Sequence, residues 1–143
     1  SKAPLRTPYG EIVGLLGLMY PIETPEEQRV YFGNLQQAIA HIESHFVDEI
    51  TTENLAQLAG LSVPHFNRLF RKVLRLSPME YILSLRVQEA QRLLSTTQLS
   101  LGSIATRTGF YDQSHFTKRF RKVTGLTPLQ YRRSVFALEF PGI

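Results

Sequence analysis

From Asn34 almost to the end of the chain, apolar residues recur at the three- and four-residue spacing of an α-helix. Leu35, Ile39, Ile42 and Phe46 form the first such stripe, with Asn34 in position to cap it. Thr51 or Thr52 can cap a short helix that holds Leu55, Ala56, Leu58 and Ala59, and Gly60 is placed to end it. Ser62 opens a helix to about Val73 with Phe66, Leu69, Phe70 and Val73 on its apolar side. Ser77-Pro78 sets proline at the first position of a long helix to about Leu94, which turns Tyr81, Ile82, Leu85, Ala90, Leu93 and Leu94 inward. Ser100 then caps a short helix with Leu101, Ile104 and Ala105, closed by Gly109, and Asp112 caps another that reaches Val123, with Gly125 past its end. Thr127-Pro128 starts a last helix containing Leu129 and Tyr131, and beyond Val135 no period persists, so a frayed tail is expected there.

The two ends read differently. Residues 1–24 are rich in glycine and β-formers, with Tyr9-Gly10 as a turn and Ile12 to Met19 as a strand-like run. The polar stretch that follows, with its proline and acids, reads as a linker or the start of a helix.

Some of these events happen twice. Residues 65–81 laid on 115–131, fifty positions on, give nine identities in seventeen: His, Phe, Phe, Arg, Lys, Val, Leu, Pro and Tyr. Upstream the match continues after a slip of one residue, with Leu55-Ala56 against Ile104-Ala105 and Gly60 against Gly109. A duplicated folding unit explains this. The expected architecture is all-α, with about seven helices: two helix-turn-helix units joined by a long central helix, plus the short N-terminal β-like segment.

Composition narrows the class. At 143 residues and 43% hydrophobic content the chain can bury an ordinary core. No apolar run approaches the roughly 18–20 residues that cross a bilayer, so no membrane partner is expected. There is no cysteine, which removes disulfides and thiolate metal sites and fits a reducing, cytoplasmic setting. A chain that begins at Ser1 rather than Met is expected to be a piece of a longer one.

Charge sharpens the picture further. Residues 34–136 carry thirteen Lys/Arg against seven Asp/Glu, and the remainder is net negative. Arg68, Arg71, Lys72 and Arg75 fall within eleven residues that contain no acid, and Lys118, Arg119, Arg121 and Lys122 do the same fifty positions on. Two such clusters suit a polyanion; two solvated helix faces would also account for them.

Each repeat is a short helix, a glycine-bearing turn and a basic second helix, the layout in which the second helix enters a DNA major groove. Phe66/Phe70 and Phe116/Phe120, four apart, belong to the face that must bury, which leaves the cations on other faces. A joining helix from Pro78 to Leu94 would span about 25 Å at about 1.5 Å per residue. Recognition helices at its two ends would suit major-groove segments about 34 Å apart on one DNA face.

Residues 34–134 resemble the DNA-binding domain of the AraC/XylS family of bacterial transcription regulators. The likeness rests on "LAQLAGLSVPHFNRLFRK", "SPMEYILSLRVQEAQRLL" and "IATRTGFYDQSHFTKRFRKVTGLTPLQYRR". It implies seven helices, binding to asymmetric sites on double-stranded DNA, mostly activation of transcription, and RNA polymerase as a partner. Carried onto this chain, it implies base contacts from Val63, Pro64, Asn67 and Arg68 in the first unit, and from Gln113, Ser114 and Lys118 in the second. Asp112 joins them either as a base contact or as a helix cap. Asn and Gln suit adenine, and Arg or Lys suits guanine; Pro64 would meet a thymine methyl or merely stiffen the helix start. Phosphate contacts are expected from Ser62, His65, Arg71, Lys72, His115, Thr117, Arg121 and Lys122, although His65 and His115 could instead pack against the neighbouring turn. Arg86 reads as an intramolecular tie.

Residues 4–23, with "YGEIVGLLGLM", resemble the closing hairpin of a PAS sensor domain, which would imply a homodimer through an N-terminal sensor; a hydrophobic arm packed on the helical domain is the other reading. The layout is then 1–24 sensor end or arm, 25–33 linker, 34–136 DNA-binding domain, and 137–143 tail. Within the domain, unit one is 34–77, the joining helix 78–95, and unit two 100–136.

Two other function classes compete. His41 and His45 sit one helical turn apart, but no further ligand stands at metal-site spacing, so no metal or cofactor is expected. No phosphate-cradling glycine loop or nucleophile set appears, which argues against an enzyme. An RNA-binding or protein-binding helical module remains the second competitor.

Overall fold

The computed structural model describes residues 25–139, which form seven helices and no strand. These are α1 (Pro25–His45), α2 (Thr52–Ala59), α3 (Val63–Leu74), α4 (Pro78–Thr96), α5 (Leu101–Arg107), α6 (Gln113–Thr124) and α7 (Pro128–Glu139). The strand-like segment and the PAS-like stretch lie outside the described residues. The described residues divide into two compact units, one containing 25–44 and 50–81, the other 45–49 and 82–139.

In unit one, α1 buries Leu35, Ala38, Ile39 and Ile42 completely, the stripe expected of a helix with one apolar face. It begins at Pro25, nine residues before Asn34, so the polar stretch is the start of a helix and Asn34 is interior. Proline at the first position starts a helix without needing apolar periodicity. Thr51 caps α2 by accepting the Asn54 amide at 3.1 Å, and Gly60 closes it in the left-handed region at φ 70°. Leu61 then donates back to the Ala56 carbonyl at 3.0 Å. Ser62 caps α3 through the His65 amide, 3.2 Å away, and Phe66, Leu69, Phe70 and Val73 are fully buried. Ser77 and Glu80 form a reciprocal capping box at the start of α4, with distances of 2.7 and 3.1 Å. Tyr81 packs edge-on against Phe70 and donates its hydroxyl to Glu43 of α1 at 3.0 Å.

Unit two has its own core of Val87, Ala90, Leu93 and Leu94 from α4, Ile104 and Ala105 from α5, Phe110 from the turn, and Phe116 and Phe120 from α6. Ser100 and Asp112 cap α5 and α6, and Thr127 with Gln130 repeats the capping box at α7. The last helix runs to Glu139, so residues 136–139 are helical where fraying was expected. Phe136 and Leu138 are exposed, which explains why no apolar period marks them; the cap and strong helix formers carry the element instead.

Two arginines tie unit two together. Arg86 donates from Nε to the Phe46 carbonyl at 2.6 Å and from Nη2 to the Asp48 carbonyl at 3.0 Å, the tie expected of it. Burial pulls its pKa down from the usual arginine value, yet a guanidinium remains charged in proteins. Arg132 of α7 donates to the carbonyls of Leu94, Thr97 and Leu99, at 2.9 to 3.2 Å. A cation there meets the negative end of the α4 dipole and carbonyls that have no intrahelical partner.

The three left-handed glycines among the described residues do different jobs. At Gly60 and Gly125 nothing stands within 4 Å of where a Cβ would be. At Gly109, φ +94°, a Cβ would meet the Val47 carbonyl oxygen at 2.8 Å and Arg86 Nε at 2.9 Å. Gly60→Ala therefore costs about 1–2 kcal/mol from backbone strain alone, whereas Gly109→Ala adds a clash of about 1–3 kcal/mol; thermal unfolding of the two variants should rank them in that order. Arg75 ends α3 with φ 66°, fifty positions before Gly125, the only non-glycine in that region among the described residues. Arg75→Gly is expected to stabilise by about 0.5–1 kcal/mol, since strain relief exceeds the entropy cost of glycine, and equilibrium urea unfolding measures it.

Candidate nucleic-acid interface

The second helix of each unit is twelve residues long, and its apolar residues force its orientation. At about 100° per residue, Phe66, Leu69, Phe70 and Val73 gather on one side of α3, and Arg68, Arg71, Lys72 and Arg75 point about half a turn away. All four cations are exposed. In α6 the same rotation seats Phe116 and Phe120 in the core, both fully buried, and leaves Lys118, Arg121 and Lys122 exposed. No acid lies in the first turn of either helix, and the last turns hold Arg71-Lys72 and Arg121-Lys122.

Most of the residues singled out in the sequence fall on these outer faces. Ser62, Pro64 and Arg68 are exposed, and Val63, His65 and Asn67 are half-buried. The Ser62 oxygen is occupied as the α3 cap, but its hydroxyl hydrogen remains available to a phosphate. Arg71 lies 4.0 Å from Glu80, with both side chains well exposed, a pairing weak enough to be displaced by a stronger anion. In unit two, Gln113, Ser114 and Lys118 are exposed and Thr117 is half-buried. Gln113 approaches α5, its Oε1 3.5 Å from where a Cβ on Gly102 would project, an ordinary van der Waals distance.

Asp112 and His115 have clear local roles. Asp112 Oδ1 accepts the His115 amide at 2.8 Å, so the aspartate caps α6. The His115 ring accepts the Tyr111 amide at Nδ1, 3.2 Å away, and sits edge-on to Phe110. Packing against the turn is thus observed for His115, and it leaves Nε2 as the protonated nitrogen of the neutral ring, a donor at the helix start.

The two units are not equally deep. Leu69 and Val73 of α3 are fully buried, whereas the matching Arg119 is exposed and Val123 is 48% exposed. The α6 helix is anchored by Phe116 and Phe120 alone, so more of its circumference faces outward. Tyr111, 89% exposed beside its first turn, had not been singled out; the one-residue slip between the copies was its only mark in the sequence. Arg132 carried no mark at all. Among the described residues no group of three His, Cys, Asp or Glu could hold a metal ion, and no helix is long and apolar enough to cross a membrane.

A duplicated helix-turn-helix with one buried and one basic face on each second helix defines a DNA-binding module. Comparison with known proteins makes the class specific. A family profile described as a helix-turn-helix domain matches residues 55–134. The activator Btr of Bacillus subtilis is 30% identical over 104 residues, covering 71% of this chain and 20% of Btr. The activator RhaS of an Enterobacter species is 35% identical over 80 residues, covering 56% of this chain and 29% of RhaS. The crystal structure of the DNA-binding domain of AdpA with a target DNA superposes with a TM-score of 0.69 at 30% identity, covering 76% of this chain and 97% of that one. The chain belongs to the AraC/XylS-type helix-turn-helix family. The matched region is a DNA-binding domain of that family. The chain spans a fifth to a third of the length of these curated relatives.

The cap geometry yields a direct expectation. Asp112→Ala should destabilise the chain by about 1 kcal/mol, and Asp112→Ser, which restores a capping oxygen, should recover most of it. Paired thermal melts check this; equal losses in both variants would deny the carboxylate a capping role.

Proposed function

We propose that this chain activates transcription by reading an asymmetric duplex site, with α3 and α6 in successive major-groove segments. The observation that carries the reading is the duplicated opposition of a buried phenylalanine pair and an exposed basic stripe on two helices of equal length. Val63, Pro64, Asn67 and Arg68 face the bases of one half-site, and Gln113, Ser114 and Lys118 those of the other. Ser62, His65, Arg71, Lys72, His115, Thr117, Arg121 and Lys122 grip phosphates, which sets register without reading sequence. The name activator attached to Btr and RhaS supports the sign of regulation, and the DNA-bound AdpA domain supports the mode.

The partner in activation is RNA polymerase, and the setting is the bacterial cytoplasm, where the chromosome lies. Residues 1–24 end a PAS-type sensor through which two copies associate, and residues 34–136 form the reading domain; the likeness of residues 4–23 to a PAS hairpin is the support for that arrangement.

Arg68→Ala and Lys118→Ala separate reading from gripping. Each should weaken binding to a specific genomic fragment by about 1–3 kcal/mol, with the loss confined to particular base pairs. Lys122→Ala should weaken all duplexes alike and lower the slope of log affinity against log salt by roughly 0.9. Mobility shifts across a salt series measure both. If neither Arg68→Ala nor Lys118→Ala lowers specific binding, the assignment of reading helices fails; equal affinity for single strands would remove the duplex-reading function altogether.

A further inference from the structure

The one-residue slip between the two copies has a location. Thr51 to Gly60 aligns on Ser100 to Gly109 at an offset of 49, and Ser62 onward aligns on Asp112 onward at an offset of 50. The first turn reads Gly60-Leu61-Ser62 and the second Gly109-Phe110-Tyr111-Asp112. Glycine matches glycine in the left-handed region, and cap matches cap. Half-buried Leu61 is matched by Phe110, which is 4% exposed and sits in the unit-two core. The residue left over is Tyr111.

Among the described residues nothing packs on its side chain. At 89% exposure it is the most exposed of the large apolar side chains among the described residues, while its neighbours Phe110 and Phe116 are buried. Its backbone, by contrast, is held: the Tyr111 amide donates to His115 Nδ1, and the next residue caps α6. A phenol is thus presented immediately before the first turn of α6, next to the Asp112 carboxylate that caps the helix. Arg119, Arg121 and Lys122 supply positive charge further along the same helix. A tyrosine hydroxyl is neutral at pH 7 and donates one hydrogen bond.

We propose that the Tyr111 hydroxyl donates to a DNA backbone phosphate that flanks the segment read by α6. This rests on the reading of α6 as a recognition helix. Because the first unit has no equivalent residue, the contact is made at one half-site only. It adds to the chain's preference for lying one way round on the duplex, and it does so without bringing a charge.

The test uses a duplex enriched from a randomised 30-base-pair pool by the wild-type chain. Tyr111→Phe should weaken binding roughly three- to tenfold, the effect of losing one neutral hydrogen bond, on the enriched duplex and its single-base variants alike. The log–log salt slope should stay that of wild type, because no cation is lost, and the melting midpoint should not move. Ethylation interference should lose one phosphate next to the α6 half-site. Affinity within 1.5-fold of wild type, or an unchanged ethylation pattern, overturns the proposal and leaves Tyr111 to a protein partner. A loss restricted to particular base pairs overturns it in favour of a base contact. Failure of the wild-type chain to enrich any duplex removes the recognition-helix reading and this proposal with it, whereas enrichment with an unaffected Tyr111→Phe removes this proposal alone.

Discussion

Everything the two recognition helices present outward depends on four phenylalanines held inward. Phe66 and Phe70 in α3, and Phe116 and Phe120 in α6, are fully buried, with ring centroids 5.6 Å apart in each pair. Burying one phenylalanine side chain stabilises by about 1.5–3 kcal/mol, whereas an exposed ion pair contributes about 0–1 kcal/mol. Burial therefore decides which way each helix faces, and the basic residues follow from the remaining rotation. The exposed basic surface is a geometric consequence of core packing, which is why the same nine-residue pattern can serve twice.

The positive charge is divided between two uses. Arg86 and Arg132 donate only to backbone carbonyls, one holding the segment between α1 and α2, the other the end of α4. Their partners are carbonyls left over by turns and a helix end, which carry partial negative charge and would otherwise need water. Gly109 completes the arrangement around Arg86, since any side chain there would strike Val47 and the guanidinium. The cations of α3 and α6 are exposed instead.

Caps and turns were the most legible part of the chain. Thr51, Ser62, Ser100 and Asp112 each accept an amide three residues on, and Ser77 and Thr127 each do so within a reciprocal box. Such contacts are local, so spacing in the sequence is enough to reveal them. The buried faces of α3 and α6 were legible for the same reason, through period and duplication, whereas the tie made by Arg86 was legible only through the family resemblance. The start of α1 at Pro25 and the end of α7 at Glu139 were not, because no apolar period marks either in the sequence. Arg132 was illegible because its acceptors are carbonyls 33 to 38 residues away, and carbonyls have no signature in a sequence. Val73 and Val123 occupy equivalent places in the repeat, yet one is buried and the other half exposed; only the surroundings separate them.

The central claim is that one chain reads two half-sites. Hydroxyl-radical footprinting of a specific duplex, combined with sedimentation of the complex, tests it most directly. The account predicts two protected segments on one DNA face, centred about one helical turn, roughly 10 base pairs, apart, with a single chain bound. One protected segment per bound chain would contradict it.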